Sequence, residues 1–306
     1  MTLLALISAL LVEQARALSS TNPIFRAFRA YARFIDRTFN AGTYQQGVLA
    51  WLCIVVPIVG AVLLLSVLLH RFSAVGLLLF DVLILYLTMG FRQFSHAYSD
   101  TLNALRTGDL GRARVNLVSW TGRPTEQLEA TEIARISIER GLSSAHRHVF
   151  GVMAWFAVFG ASGAVIFRLS SMLRDHWGAR DENEETRFGA FSRVAFDVCD
   201  WVPARITAVS FAVVGDFEDA LYCWRTQADA WPDSSEGVVL ASGAGALGVR
   251  LGASLASTDP IELRSELGMG DEADAELMTS AVGLVWRALV LWLFVLLLVS
   301  AASWLG

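Results

Sequence analysis

Lysine is absent from this chain of 306 residues, so all 24 basic side chains are arginine. A bias toward GC-rich codons explains this, although guanidinium groups also suit the recognition of phosphate. Charged residues make up only 17% of the chain, against about 25% in an average soluble domain. With 55% hydrophobic residues and a mean hydropathy of +0.50, this shortage of charge excludes an ordinary soluble domain.

Motifs that carry familiar chemistry are missing as well. The three cysteines, Cys53, Cys199 and Cys223, form no CxxC pair, which argues against a zinc finger or a disulfide framework. The sequence has no Walker-type phosphate loop, no dinucleotide-binding glycine motif and no nucleophile elbow. His146 and His148 are two residues apart, so on a helix they point in different directions. We therefore expect no bound metal and no nucleic acid partner.

Long uncharged runs dominate the sequence instead. Residues 48–69, 149–167 and 288–302 carry no charge, and residues 74–90 carry only Asp81. About 20 apolar residues in a helix cross the ~30 Å hydrocarbon core of a bilayer. The sequence therefore predicts an all-α, polytopic integral membrane protein with about four transmembrane helices and some short re-entrant or interfacial helices. The spans are expected at 48–70, 74–92, 148–170 and 282–305, and the shorter helices near 2–18 and 204–216.

The first 47 residues predict two elements at the membrane surface. No basic segment precedes the N-terminal apolar run, so we expect a short helix with Glu13 turned toward protein rather than a cleaved signal peptide. Within residues 19–47, arginines recur on one helical face and apolar side chains on another. Such a helix suits an anionic cytoplasmic leaflet.

Charge is distributed unevenly along the remaining chain. Residues 91–148 hold eight arginines, with helices expected at 99–106, 109–120 and 125–145, whereas residues 214–282 hold three arginines and thirteen acids. The positive-inside rule then places 91–148 in the cytoplasm and the acidic region 170–282 on the opposite side. We treat residues 1–306 as one membrane domain. Its parts are 1–47, the hairpin 48–92, the cytoplasmic helices 93–147, the span 148–170, the acidic region 171–281 and the final span 282–306.

Two polar features invite functional interpretations. Asp81 lies within an apolar run, where a carboxylate costs a few kcal/mol. It is either a proton, ion or substrate site, as in a small transporter, or a structural hydrogen-bonding group near Arg71 or Tyr86. In the segment 200–205, Pro203 suits a first helical turn. Arg205 there either pairs with a nearby acid or clamps an anion.

Five motifs resemble the adenosylcobinamide-phosphate synthase family, also called CobD/CbiB. They are Glu132-Ile-Ala-Arg135, Ile138-Glu139, Gly163-Ala-Val-Ile-Phe-Arg168, Phe188-Gly189 and Asp200-Trp-Val-Pro-Ala-Arg205-Ile-Thr-Ala. The resemblance implies a multi-span membrane enzyme that joins an aminopropanol unit to adenosylcobyric acid with ATP and Mg²⁺.

Within that superfamily the chain also resembles the AmpE family of inner-membrane proteins. The similar stretches include the opening Met1-Thr-Leu-Leu-Ala-Leu, His96-Ala-Tyr98, Trp155 and Ser210-Phe-Ala-Val-Val-Gly-Asp-Phe217. This resemblance implies a sensor or signal transducer linked to β-lactamase induction and envelope stress. It also implies a multi-pass protein of the bacterial inner membrane with an inner-membrane or periplasmic protein partner.

Departures from the synthase pattern favour the AmpE interpretation. Where the synthase pattern has Glu-Asn-Thr-Ser-Asp, this chain reads Ser143-Ser144-Ala145-His146-Arg147. Two further synthase acids fall on Arg174 and Phe196, whereas Asp197 is kept. A ligase that uses ATP and Mg²⁺ needs carboxylates to hold the metal against phosphates. We therefore expect an AmpE-like transducer without a cofactor, and a synthase with ATP and Mg²⁺ as the alternative.

Any ligand site is expected where the cytoplasmic ends of the spans meet the helices of 91–148. Structural ion pairs within a helical bundle are the competing interpretation. The polar residues that recur in the resemblance are Glu13, Arg92, His96, Glu132, Arg135, Glu139, His146, Arg168, Asp197, Asp200 and Arg205.

Overall fold

The computed structural model describes residues 2–15, 22–122, 127–178, 187–252 and 265–305, without the side chains of 91–93 and 303–305. Nearly all of this is helical, which confirms the predicted all-α membrane class. The α-helices are α1 Thr2–Ala15, α2 Pro23–Phe39, α3 Tyr44–Phe72, α4 Ala74–Thr88, α5 Phe91–Arg106, α6 Leu110–Thr121, α7 Ala130–Ala145, α8 Gly151–Leu173, α9 Ala190–Val214, α10 Phe217–Gln227, α11 Ser234–Leu247 and α12 Ala275–Leu305. Two π-helical turns, His146–Phe150 and Arg174–Gly178, flank α8, and Ala228–Ala230 forms a 3-10 turn.

The described chain forms two compact units. The first contains residues 1–90 and 147–203, and the second contains 91–146 and 204–306. Helices α1 to α4, α8 and the start of α9 belong to the first unit. Helices α5 to α7, the end of α9 and α10 to α12 belong to the second.

Three helical segments are long and apolar enough to cross a membrane: Tyr44–Phe72, Ala130–Gly178 and Ala275–Ala302. The first contains the predicted span 48–70, and the third covers residues 282–302 of the predicted span 282–305. Their outer faces are apolar, since Leu64 and Val290 are each 62% exposed. Helix α4 has only 15 residues, or about 22 Å, and is therefore shorter than the predicted span 74–92.

The segment containing α8 folds back on itself. Gly160 has φ 61° and ψ −150°, a backbone conformation that reverses the chain inside this helical segment. The two arms then pack face to face: a Cβ on Gly151 would lie 2.2 Å from the Phe167 ring. At the tip, Val158 and Phe159 are 72% and 58% exposed, as expected for side chains that face hydrocarbon. Residues 147–173 are therefore a re-entrant helical hairpin, and each arm is only about 20 Å long.

The structure corrects three expectations. Residues 148–170 do not form one spanning helix, because the glycine reversal brings both ends of the segment to the same end of the hairpin. This segment therefore does not carry the chain across a membrane, which removes the basis for placing the acidic region on the opposite side. Residues 204–216 are not a separate re-entrant helix, since most of them continue α9, and Pro203 lies inside that helix rather than in its first turn.

A labelling experiment distinguishes a fold-back hairpin from a single span. The Arg187 N–H donates to the Gly42 carbonyl (3.0 Å), and the Trp177 and Phe188 rings pack 5.2 Å apart. The exit of the hairpin thus lies at the start of α3.

We expect Asp175→Cys and Thr43→Cys, in a cysteine-free background, to react with a membrane-impermeant thiol reagent from the same side of the membrane. Ser73→Cys, in the turn between α3 and α4, should react only from the other side. Reaction of Asp175→Cys and Ser73→Cys from the same side would contradict the hairpin.

The other helices of the first unit pack around α3 and α4. In α2, Ala32 and Ile35 are buried, whereas its arginines are exposed, as the amphipathic pattern predicts. The Tyr31 hydroxyl donates to the Cys53 carbonyl in α3 (3.4 Å). Helix α1 packs on α4 and α8, and its Glu13 is buried, as predicted.

The second unit is built around α7. The predicted helix 109–120 is confirmed as α6, whose first turn is capped because the Asp109 carboxylate accepts from Arg112 N–H (2.9 Å). Leu117 and Ile133 belong to the core between α6 and α7.

Helix α5 is joined to α12 in the same unit. The Tyr98 hydroxyl of α5 donates to the Met278 carbonyl in α12 (2.7 Å), and burial raises the pKa of Tyr98. A two-residue parallel pair, β1 Val249–Arg250 and β2 Asp271–Glu272, follows α11.

Candidate functional site

An arginine–phenylalanine–arginine cluster lies where the two arms of the hairpin end. The guanidinium carbons of Arg147 and Arg174 lie 5.8 Å and 5.2 Å from the centroid of one ring, that of Phe196. Phe196 is 1% exposed and projects from α9. Stacking on an aromatic face holds a guanidinium group in place through its planar face, while its N–H groups point outward in the same plane. The cluster is therefore an ordered pair of cationic groups.

Both arginines face carboxylates at long range. Arg147 lies 3.9 Å from Asp175, and Arg174 lies 4.0 Å from Asp197. The arginine side chains are only 20% and 19% exposed, whereas the two carboxylate side chains are 65% and 56% exposed. The positive groups are thus more desolvated than the negative ones. Such an arrangement favours an additional anion at the arginines.

A third arginine lies in the same unit. An Arg168 N–H donates to His148 Nδ1 at 2.6 Å, which requires that this imidazole nitrogen be an acceptor. The carboxylates of Asp175 and Glu13 are the opposite charges that act on Arg168. The Arg168 Nε is buried and has no hydrogen-bond partner among the residues that the structure describes. The first unit therefore brings together Glu13, Arg168 and Asp197 from the predicted set, with Asp200 buried nearby on α9.

The second unit has a polar stripe along α7. Glu139, 4% exposed, accepts a hydrogen bond from Gly252 N–H (2.8 Å). One turn later, Ser143 donates to Glu236 of α11 (2.6 Å). His146 Nδ1 is 3.0 Å from the Thr207 hydroxyl of α9. This spacing of three to four residues aligns the groups on one helical face, so α7 is fixed by polar contacts to three other elements.

The remaining predicted residues of the second unit have more local environments. Glu132 accepts from Glu129 N–H (3.0 Å) in a capping arrangement and lies 4.0 Å from Arg135. His96 is exposed. Arg205 is half-buried; burial lowers its pKa, and the charge of Asp229 acts in the opposite direction.

The predictions for Arg92 and Asp81 stay predictions. The Arg92 side chain falls outside those that the structure describes. Asp81 is partly buried in α4, and nothing among the described residues decides between its two interpretations. Within the described ranges, no three His, Cys, Asp or Glu side chains are grouped so as to hold a metal ion.

The sequence reasoning missed several residues of both groups. Arg147, Arg174 and Phe196 were noted only as departures from an acidic pattern, although each lies in the first cluster. Ser143 was one more of these departures, Thr207 lay inside the motif of residues 200–208, and Glu236 carried no motif signal. The available signal was mostly negative, because four acids of the family pattern, at positions 143, 147, 174 and 196, are replaced in a chain that otherwise keeps the family spacing.

Comparison with known proteins identifies the family. The sequence model described as CobD/Cbib protein matches residues 2–304. A cobalamin biosynthesis protein CobD from Stutzerimonas stutzeri is 37% identical over 296 residues, which cover 95% of this chain and 94% of that protein. This chain belongs to the CobD/CbiB family.

Further relatives agree with this membership. A cobalamin biosynthesis protein CobD from Chromobacterium violaceum is 36% identical, over 74% of this chain and 71% of that protein. One from Leptospira interrogans is 30% identical over 57% of this chain and 56% of its own length. No solved structure shows a significant match to this CobD/CbiB family member.

The expected AmpE-like transducer is therefore wrong as the main interpretation. The relatives that match over most of the chain are named for cobalamin biosynthesis, not for β-lactamase induction. Apart from His96-Ala-Tyr98, the similarity to AmpE lay in short, mostly apolar stretches, which are similar among many membrane helices because few residue types satisfy a lipid environment. These relatives support the synthase alternative.

Proposed function

We propose that this protein acts in cobalamin biosynthesis in a bacterial inner membrane and joins an aminopropanol unit to adenosylcobyric acid. The observation that carries the proposal is the match over residues 2–304, together with 37% identity to a CobD protein across 95% of the chain. The spacing of Glu132, Glu139, Arg168 and Arg205 resembles that of the synthase family, which supports the same reaction class.

The arginine cluster supports this reaction. Amide formation from a carboxylate and an amine in water needs an energy source, which ATP supplies. The participants then include phosphate and carboxylate groups. Partly desolvated guanidinium groups stabilise such anions more strongly than fully hydrated ones do. Arg147 and Arg174 are placed to bind an anion, and Arg168 adds a third positive group to the same unit.

Magnesium ions do not fit the described residues as a protein-held group. Mg²⁺ is bound through one or two carboxylates together with substrate phosphates. In the first unit, Asp175 and Asp197 each face an arginine, so these two carboxylates are already opposed by positive charge. No step of the proposed reaction is therefore assigned to a metal ion held by these residues.

The proposal is tested by complementation. The gene should restore cobalamin-dependent growth to a synthase-null strain that is supplied with cobyric acid. Asp200→Asn should abolish the rescue, because Asp200 is 2% exposed and lies in the family motif. The matched change Asp271→Asn, at an exposed position, should leave the rescue intact. Both variants are checked for membrane content by immunoblot.

Two outcomes would contradict the proposal. One is failure of the wild-type gene to rescue despite normal membrane content. The other is rescue without any new amide product when membranes are supplied with adenosylcobyric acid, aminopropanol phosphate and ATP.

A further inference from the structure

Three departures from the acidic family pattern meet at one place in the folded chain. Arg147, Arg174 and Phe196 each stand where the resemblance implies an acid or an acid-bearing motif. A straight helix would separate Arg147 from Arg174 by about 40 Å. The reversal at Gly160 instead brings both guanidinium carbons within 6 Å of the centroid of the Phe196 ring. The three residues therefore form one unit rather than three separate changes.

We propose that Arg147 and Arg174 bind a phosphate group directly, with no metal ion between the protein and the phosphate. This deepens the proposed function, on which it rests for ATP as the phosphate-bearing substrate. The same chemistry would suit the phosphate of a lipid headgroup. A guanidinium group presents paired N–H donors that match two phosphate oxygens, so two such groups can neutralise one phosphate.

The exposed fractions support an exchangeable anion. Each arginine side chain is about one-fifth exposed, so it is desolvated but still reachable. Its carboxylate neighbour lies 3.9 or 4.0 Å away, which is beyond hydrogen-bonding distance, and is more than half exposed. An incoming phosphate can displace such a pair at little cost, because exposed ion pairs contribute little.

The location supports the inference independently. Arg147 and Arg174 lie in the two π-helical turns that flank α8, and π-turns occur frequently at functional sites. Phe196 is fixed from behind by the Phe167 ring, whose centroid is 5.6 Å away. The aromatic platform is thus rigid before any ligand arrives, which lowers the entropy cost of binding.

Binding of ATP to the purified full-length protein in detergent, measured by calorimetry in the presence of EDTA, tests the inference. Wild-type protein should bind ATP without Mg²⁺ and more weakly as salt is raised. Arg147→Gln and Arg174→Gln should each weaken binding by about 10-fold or more, since each removes a charge-assisted contact. Arg174→Lys should also weaken binding, because it keeps the charge but removes the paired donors. The control Arg250→Gln, at a half-exposed surface ion pair, should bind as wild type does.

Competition identifies the source of the phosphate. Displacement of ATP by inorganic phosphate or tripolyphosphate supports a soluble substrate, whereas displacement only by short-chain phosphatidylglycerol supports a lipid headgroup at the same arginines. Absence of ATP binding in EDTA, or binding by both glutamine variants as tight as that of the wild type, would overturn the inference. If the glutamine variants do not fold, Arg174→Lys gives the same decision. If the wild-type protein binds ATP but its gene does not complement the synthase-null strain, the proposed reaction alone is refuted. If both glutamine variants complement that strain and bind ATP with unchanged affinity, this inference alone is refuted.

Discussion

Gly163→Leu is expected to abolish both the folded protein and its ability to complement. A Cβ at this position would lie 2.2 Å from the carbonyl oxygen of Trp155 and 2.9 Å from its carbonyl carbon. These are backbone atoms of the opposite arm, so no rotamer change can relieve the overlap. The arms of the hairpin would have to separate, and Arg147 and Arg174 would no longer share one aromatic ring.

The size of the effect follows from ordinary overpacking. Extra methylene groups in a well-packed core cost about 1–3 kcal/mol even where side chains can shift. Here the obstacle is backbone, so we expect more than about 3 kcal/mol, which is a large part of the total stability of most proteins. Thermal unfolding in detergent, the yield of monodisperse protein and complementation measure the outcome.

Gly60→Leu is the matched control. Gly60 lies in the spanning helix α3, and a Cβ there would meet no atom within 4 Å. The added side chain would face hydrocarbon, which suits leucine. Gly60→Leu should therefore melt within a few degrees of wild type and complement fully. A Gly163→Leu variant that behaves like Gly60→Leu would show that the two arms do not pack as described.

The sequence was sufficient for the parts of the fold that depend on one helix at a time. Helices α3 and α12 follow from long uncharged runs, and α6, at Leu110–Thr121, lies within one residue of the predicted helix 109–120. The hairpin could not be predicted in the same way. Residues 149–167 have the length and composition of a span, and the reversal depends on the backbone of Gly160, a residue that membrane helices also contain for other reasons.

The candidate site was predictable only in its composition. Glu13, Arg168 and Asp197 were predicted as polar residues of one site, and all three lie in the first unit, but their neighbours depend on the hairpin. Arg147 and Arg174 are 27 positions apart in the sequence, and only tertiary structure brings them together. The contact of Glu139 with the Gly252 N–H joins residues 113 positions apart, so periodicity could not reveal it.

Glu139→Ala is expected to destabilise the protein by about 2–4 kcal/mol. The carboxylate of Glu139 accepts from Gly252 N–H (2.8 Å) and is 4% exposed. Alanine would leave this buried N–H without its acceptor and create a cavity at α7. The Gly252 backbone packs closely against that of Ser265, since a Cβ on Gly252 would lie 2.0 Å from the Ser265 carbonyl oxygen, so little room is left for it to shift toward another acceptor. Thermal unfolding in detergent should show a clear decrease in the melting temperature.

Glu272→Ala and Glu139→Gln separate the causes of this loss. Glu272 is 73% exposed and lies 3.7 Å from Arg250, so its removal should change stability by no more than about 0.5 kcal/mol. Glutamine at 139 keeps an oxygen that can accept from Gly252, so most of the stability should return and complementation should follow it. A Glu139→Gln variant that melts as wild type does but fails to complement would instead show that the reaction requires the negative charge of Glu139. An unchanged melting temperature for Glu139→Ala would contradict the structural role of this contact.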